Sequence, residues 1–470
     1  MHVVMLPWLA FGHIIPFTEL AKRIARQGHR VTLLSTPRNT RRLIDVPPDL
    51  AGLIRVVDVS LPRVEHLPEG AEASIDLPSD DLRPYLRRAY DAAFSRALSD
   101  ILQVPEPEPS RRPDWVLTDY AAHWAPAAAA NHGVPCAYLS LYCAAALSFF
   151  GPPEALMGHG RYAMTEPARL TEVPDFVPFP TNVAYRGHEA RQMFRPLSVP
   201  DESDVSELYR SGKSIDGSQL VGIRSSRDFE PEWLQLLGEL YQKPVIPVGL
   251  FPPPPAQDVA GDEATLRWLD RQAPGSVVYV AFGSEAKLTS AQLEAIAIGL
   301  EASGLPFLWA FRAPTGADAD AGEGTGGGLP DGFEERVSGR GVVCRGWVPQ
   351  VRFLAHASVG AFLTHAGWNS VVEGLAHGVR LVLLPLMFDQ GLNARHLVEK
   401  KVGVEVARDE EDGSFAPKDI AAALREVMVE VHGKELGVKA KELAGVFGND
   451  ELNDQCVRDF LGCLSEYSKN

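Results

Sequence analysis

The chain has 470 residues, too many for one ordinary core, and points to two or three domains. With 45 basic against 61 acidic side chains its net charge is −16, which removes the electrostatic footprint that a nucleic-acid backbone requires and leaves any anionic ligand to be held by local dipoles. Hydrophobic residues at 45% and charged residues at 23% exclude a disordered or fibrous chain.

In chain order, HVVMLP at residues 2–7 is a short apolar run, residues 15–26 carry Phe17, Leu20, Ala21 and Ile24 at helical spacing, and VTLLST follows His29 and Arg30. The pattern strand, loop, helix, strand is a βαβ unit and predicts a parallel sheet. The opening has no basic leader and contains Pro7, which argues against a signal peptide. Buried strands are predicted at 54–59, 115–118 and 136–142, with a helix over 84–102, completing a doubly wound α/β domain. No Asp, Glu, Lys or Arg falls between Asp119 and Glu154, the length of a membrane span. His123, Pro126, Asn131, His132, Gly133 and Pro135 interrupt the run, so a helix followed by a buried strand explains it better.

Residues 244–262, PVIPVGLFPPPPAQDVAGD, change the composition. Their prolines favour a stiff, extended connector and cannot continue a helix or a central strand, which marks a domain boundary. The alternation then restarts with strands at VVYVAF, PFLWAF, VVCRGW, VGAFLT, RLVLLPL and VGVEVA, and helices over 290–303, after Asn369 and over 393–401. This predicts a second Rossmann-like sheet. From about Pro417 the chain is helical and charged, with Ile420, Ala423, Leu424 and Val427 on one face. Residues 313–328, APTGADADAGEGTGGG, have nothing to bury and are expected to be mobile. Their formal GxGxxG, at Gly322, Gly324 and Gly327, lacks the strand that must immediately precede a dinucleotide fingerprint. Cys136, Cys143, Cys344, Cys456 and Cys463 have no metal-like spacing and read as reduced thiols of a cytosolic protein.

The loop LAFGHIIP places His13 at the carboxyl end of a parallel strand, where ligand crevices form in open α/β sheets. An imidazole titrates nearest neutrality and can take a proton from a hydroxyl, so His13 is a candidate general base; the plainer reading is a loop histidine satisfied by backbone. Asp119 ends DWVLT, another strand predicted to finish on the same edge, and could accept the Nδ1 proton of His13. Its plainer reading is the N-cap of a helix over 121–130. In the second domain VGAFLT is followed by His365, Ala366, Gly367, Trp368, Asn369, Ser370 and then a helix containing Glu373. The glycine permits close approach and the helix N-terminus offers amides to phosphate, although Asn369 and Ser370 would serve equally as plain N-caps. Gly283 and Ser284, after the domain's first strand, add a second glycine-hydroxyl pair on the same edge. Glu373 suits a ribose diol, and Trp347 offers a flat face for a base unless it is a core tryptophan.

Residues 347–390, WVPQVRFLAHASVGAFLTHAGWNSVVEGLAHGVRLVLLPLMFDQ, resemble over their full length the signature box of plant UDP-sugar-dependent glycosyltransferases. With the GHIIPF loop, the resemblance covers essentially the whole chain. It implies the GT-B fold, an α/β architecture of two Rossmann-like doubly wound parallel-sheet domains with an interdomain cleft. The expected division is an acceptor domain over 1–243, the linker 244–262, a UDP-sugar domain over 263–450, and a C-terminal helix over 451–470 that packs back on the first domain. The resemblance further implies Trp347 stacking on uracil, Val348 and Gln350 reading its edge, and Glu373 holding the ribose. Ser284, His365, Asn369 and Ser370 would bind the diphosphate, approached across Gly367, while Trp368, Asp389 and Gln390 would face the sugar. A glutamine at Gln390 accompanies glucose in that family, so UDP-glucose is the implied co-substrate, and His13 with Asp119 matches the catalytic pair. Ala366 stands for a common cysteine, Arg380 for a common proline and Met387-Phe388 for smaller residues, and Arg380 and Phe388 are expected to alter the sugar pocket. The opening and the end of the box look most like the family 91 branch, whose members extend sugars on steviol or flavonoid glycosides.

The implied reaction is an inverting transfer without metal or cofactor, between a UDP-sugar and a small acceptor, by a cytoplasmic monomer that binds neither nucleic acid nor membrane. Trp8, Phe11, Tyr142, Phe149, Phe150, Met157, Phe194 and Phe388 would offer acceptor surface, with residues 158–204 as a variable lid. Three alternatives stand beside it: transfer directly to an aglycone, a UDP-sugar epimerase, and a non-catalytic nucleotide-sugar binding module. An NAD dehydrogenase is weaker, because neither sheet opens with a glycine fingerprint.

Overall fold

The structure, a computed structural model, describes residues 1–103, 112–255, 262–313 and 328–467. The glycine-rich motif at Gly322, Gly324 and Gly327 lies outside these residues. The chain forms two units: Met1–Pro180 with Gln192–Phe251 and Asp450–Asn470, and Thr181–Arg191 with Pro252–Asn449.

The first unit is built on strands β1 (His2–Leu6), β2 (Arg30–Ser35), β3 (Ile54–Asp58), β4 (Trp115–Thr118), β5 (Cys136–Ser140), β6 (Leu220–Ile223) and β7 (Val245–Pro247). They pair in parallel in the order β3-β2-β1-β4-β5-β6-β7. Central strands such as WVLT and CAYLS are buried along their whole length, as a sheet covered on both faces requires. The order reverses at β1, which has β2 on one side and β4 on the other, so the crevice of this sheet opens past Leu6 and Thr118, which pair in register. Under the sheet, Val3, Met5, Phe17, Leu20, Trp115 and Leu117 share a core with Val457, Phe460, Leu461 and Leu464 of the terminal helix Asp450–Tyr467. That helix is pinned by polar groups as well. The buried Asn453 Oδ1 accepts the amides of Leu250 and Phe251 at 2.6 and 3.0 Å, and Trp115 Nε1 donates to the Leu464 carbonyl at 3.2 Å.

The second unit holds β8 (Val277–Ala281), β9 (Phe307–Phe311), β10 (Gly341–Arg345), β11 (Val359–Thr364), β12 (Arg380–Leu383) and β13 (Gly403–Glu405), all parallel in the order β10-β9-β8-β11-β12-β13. Its reversal falls at β8, between β9 and β11, with Ala281 opposite Thr364.

Three sequence expectations change. β6 and β7 were not foreseen, and β7 lies inside the stretch read as a linker. Proline is tolerated there because β7 is an edge strand whose outward amides need no ladder partner, and the break between units falls after Phe251. The first helix runs Phe11–Arg26 and includes Pro16, so His13 lies in its first turn rather than in a loop. Thr181–Arg191, within the segment proposed as an acceptor lid, packs as part of the second unit.

Candidate active site

In the first unit β1 delivers His13 and β4 delivers Asp119 to the reversal point. His13 Nδ1 lies 2.6 Å from Asp119 Oδ2, with the carboxylate buried and the imidazole side chain 21% exposed. The Trp8 amide donates to the same oxygen at 3.0 Å and the Tyr120 amide to Oδ1 at 2.6 Å, so backbone on both sides fixes the carboxylate. Asp119 is not an N-cap, since the helix that follows starts at Ala125 and takes Trp124 as its cap. An ionised carboxylate only accepts, which leaves Nδ1 as the protonated ring nitrogen and Nε2 with its lone pair. The N-terminus of the Phe11–Arg26 helix has no acidic residue in its first turn and disfavours a positive charge at His13; Asp119 supplies the compensating charge.

The expected acceptor residues divide. Trp8, Phe11, Phe149 and Phe150 are buried, as large apolar side chains usually are. Trp8 packs edge-on against Tyr90 with centroids 5.5 Å apart, and the Arg42 guanidinium lies over Phe11 at 4.7 Å. Tyr142, Met157 and Phe194 keep partial exposure in the first unit, and Phe388 does so in the second.

At the second reversal point, Gly283 and Ser284 follow β8 and His365 follows β11. Gly283 has φ +76°, and a Cβ there would sit 2.8 Å from Cε1 and Nε2 of His365; a Cβ on Gly367 would also strike the ring. The imidazole therefore occupies the space that two missing side chains provide. Burial alone pushes it down to about 4, so it is neutral at pH 7 and offers a hydrogen bond rather than a charge, which corrects any expectation that it neutralises a diphosphate as a cation. The helix Trp368–Ala376 takes Gly367 as its N-cap without a side-chain cap bond and has no acid in its first turn. Asn369 and Ser370 stand inside that turn and are not the caps of the plainer reading. The helix start is thus a concentration of backbone N–H groups at the positive end of a dipole. Arg312 donates to the Ser284 carbonyl at 2.9 Å and brings a cation to the same loop.

Beside it, Trp347 is 65% exposed, which removes the core alternative. Val348 and Gln350 are partly buried, and Gln350 Nε2 donates to Glu373 Oε2 at 2.6 Å while its Oε1 accepts the Tyr279 hydroxyl at 3.4 Å. Glu373 is oriented from below by this chain. Gln390 Oε1 accepts the amides of Leu386 and Met387, each at 2.9 Å, which leaves its NH₂ as the donor for a ligand. Trp368 departs from expectation: it is buried and packs against Phe447 at 6.2 Å, so its side chain builds core instead of facing a sugar. Arg380 does so too. It starts β12, at the end of the strand away from these loops, and donates to the carbonyls of Gly360 and Val427 at 2.8 Å each, clasping the strand's origin.

Sequence reasoning missed Asn393 and Arg312. Asn393 is fully buried, and its NH₂ donates to the Ala366 carbonyl at 3.0 Å and to Asp389 Oδ2 at 2.7 Å. It ties the His365 loop, where Ala366 takes φ +64°, to Asp389 one helical turn away, a spacing that was legible though its partner was not. Among the described residues no group of three or more His, Cys, Asp or Glu is placed to hold a metal ion, and no helix is long and apolar enough to cross a membrane.

Residues 260–440 match the family described as UDP-glucoronosyl and UDP-glucosyl transferase. The chain is 43% identical to UDP-glycosyltransferase 91C1 of Arabidopsis thaliana, covering 98% of this chain and 96% of the relative, and 40% identical to UDP-glycosyltransferase 91D2 of Stevia rebaudiana, covering 100% and 96%. It is 38% identical to Soyasaponin III rhamnosyltransferase of Glycine max, covering 99% and 96%. Among solved structures, UGT2 of Phytolacca americana, complexed with UDP-2fluoro-glucose and pterostilbene, superposes with a TM-score of 0.73 at 25% identity over 99% of both chains. The two parallel sheets are those of the GT-B fold, and the epimerase and binding-module alternatives find no support among these relatives. The chain belongs to the plant family 1 UDP-glycosyltransferases, enzymes that transfer a sugar from a UDP-sugar donor.

Proposed function

We propose that this enzyme is an inverting, metal-independent glucosyltransferase that moves glucose from UDP-glucose to a sugar hydroxyl, by preference the 2-hydroxyl, of a plant glycoside such as a steviol or flavonoid glycoside. The observation that carries the mechanism is the 2.6 Å pairing of His13 Nδ1 with Asp119. With Nδ1–H committed to the carboxylate, Nε2 takes the acceptor's hydroxyl proton as the acceptor oxygen bonds to C1 of the sugar. The C1–phosphate oxygen bond breaks on the opposite face, its electron pair leaves with UDP, and the anomeric configuration inverts. The departing diphosphate meets the N-terminus of the Trp368–Ala376 helix with Ser284 and His365, while Trp347 and Glu373 hold uracil and ribose and Asp389 and Gln390 the sugar. Fixed donors already aimed at the developing charge need no reorganisation during the reaction, and this is how a chain of net charge −16 can bind an anion.

The glycoside acceptor is supported by one relative whose name gives it a saponin, itself a glycoside. The same name specifies rhamnose, so UDP-rhamnose is the second donor reading. The test is mass spectrometry of purified protein incubated with UDP-glucose or UDP-rhamnose and a panel of diterpenoid and flavonoid aglycones alongside their monoglucosides. Hexose added to the glucosides only, with fragmentation giving a β1,2 linkage, is the expected result. Addition only to aglycones would reject the glycoside acceptor, and deoxyhexose in place of hexose would reject glucose.

A further inference from the structure

We infer that Tyr185 is a positioning residue for the donor sugar, holding from a distant part of the chain the loop that carries Asp389 and Gln390. The inference rests on the reading above that these two residues face the sugar. Tyr185 belongs to Thr181–Arg191, which packs within the second unit although the residues on either side of it in sequence belong to the first. Its ring is buried, and its hydroxyl donates to the Phe388 carbonyl at 2.9 Å across 203 residues of sequence. Phe388 has φ +50°, a left-handed conformation that a phenylalanine seldom adopts without support, and it turns the chain directly into Asp389 and Gln390. From inside the loop Gln390 Oε1 gathers the amides of Leu386 and Met387; from outside Tyr185 takes the Phe388 carbonyl. Burial keeps the phenol far above its ordinary range, so it remains a donor throughout the physiological span.

The segment is anchored for this task. Glu189 is buried, receives the Arg186 amide at 2.8 Å and pairs with the buried Arg395, which in turn bonds the Gly391 carbonyl at 2.8 Å and Glu405 at 3.0 Å. Arg186 closes the ring on Glu405 at 3.2 Å. Gly391, immediately after Gln390, has no room for a side chain, since a Cβ there would meet Glu189 Oε2 at 2.7 Å. Further back, Thr181 Oγ1 bonds Glu399. The sugar-facing loop is therefore set by a charged clamp, which meets it at Gly391 through Arg395 and at Phe388 through Tyr185.

Tyr185→Phe removes one oxygen and keeps the ring. Its dissociation constants for UDP-glucose and for UDP, measured by calorimetry without acceptor, are compared with those of the parent and of Gln390→Ala. The expected result is that UDP-glucose binds about five- to tenfold more weakly in Tyr185→Phe while UDP binds as before, with Gln390→Ala shifting the same ratio. Equal losses for UDP and UDP-glucose would mark a merely structural role and overturn the inference. A shifted ratio in Gln390→Ala with none in Tyr185→Phe would overturn it while leaving the sugar subsite standing. An unshifted ratio in Gln390→Ala would remove the sugar subsite and the inference together.

Discussion

At the first reversal point the residue that follows Thr118 is a carboxylate; at the second the residue that follows Thr364 is an imidazole. The two addresses are otherwise alike, each one step past the strand that pairs with its sheet's opening strand, Leu6 with Thr118 and Ala281 with Thr364. Asp119 draws an imidazole from the neighbouring helix into a 2.6 Å contact and so makes a base with a compensating charge beside it. His365 has glycine on both sides and is held neutral by burial alone. On the proposed mechanism a doubly wound sheet supplies the place, and a single residue at the strand's end decides whether the place moves protons or receives an anion.

The largest expected effect breaks the first address. His13→Ala should lower kcat by at least about a hundredfold, because it removes the nitrogen proposed to take the acceptor's proton, and should leave UDP affinity unchanged. Asp119→Asn should follow with a smaller but still large loss, since its amide competes for the Nδ1 contact and favours the wrong tautomer. Turnover that survives either change would mean that the pair is structural.

Next in size is the second address. Gly283→Ala and Gly367→Ala each drive a methyl into the His365 ring, and overpacking of this kind costs about 1 to 3 kcal/mol, which, taken from UDP binding, is roughly five- to 150-fold in affinity. Gly283→Ala also forces alanine to φ +76°. Because the first address is untouched, turnover at saturating donor should persist. Calorimetry with UDP decides this, and an unchanged affinity would show that the pinched imidazole has no part in the diphosphate site.

Why the sequence disclosed one kind of feature and not another follows from where each is encoded. Buried parallel strands are written as continuous apolar runs, and the turns past them as glycines and short polar residues, so β1, β4, β8 and β11 and the residues at their ends were legible. β7 was not, because its three residues sit among prolines that a central strand would refuse and an edge strand accepts. His13 was placed in a loop because Pro16 suits the first turn of a helix and the apolar spacing was read from residue 15, whereas the helix starts at Phe11. Tyr185, Asn393 and the clamp around Glu189 were not legible as a set, since beyond the local contacts of Asn393 with Asp389 and of Glu189 with Arg186 their partners lie 203, 27 and 206 residues away and only folding brings them together. Trp347 and Trp368 make the same point in one motif. Both are tryptophans at the edge of a ligand loop, and only burial separates the exposed one from the one packed on Phe447.

That pair gives the third test. Trp347→Ala removes a ring that is 65% exposed, so stability should stay within about 0.5 kcal/mol, while UDP binding should weaken by about 1 to 3 kcal/mol if the ring stacks on a base. Trp368→Ala should do the reverse, hollowing the core. Melting curves and UDP titrations on the same two proteins would separate the roles, and a Trp347 variant that unfolds early yet binds normally would reverse the assignment.

The last test sharpens the contrast between addresses most directly, because it reads the charge of His365 itself. In the folded protein its pKa is about 4, against an ordinary value of 6.5. Between these values the unfolded chain takes up a proton that the folded chain refuses, so stability is fully present above 6.5 and falls as the pH drops toward 4, by at most about 1.4 kcal/mol per pH unit. Urea unfolding of the ligand-free protein and of His365→Gln across that window isolates the contribution, since the variant has no proton to gain. The parent should lose stability relative to the variant as the pH falls, and a difference that stays constant would mean that His365 is not held neutral. Saturating UDP should flatten the difference, because an anion beside the ring favours the charged form that burial alone forbids.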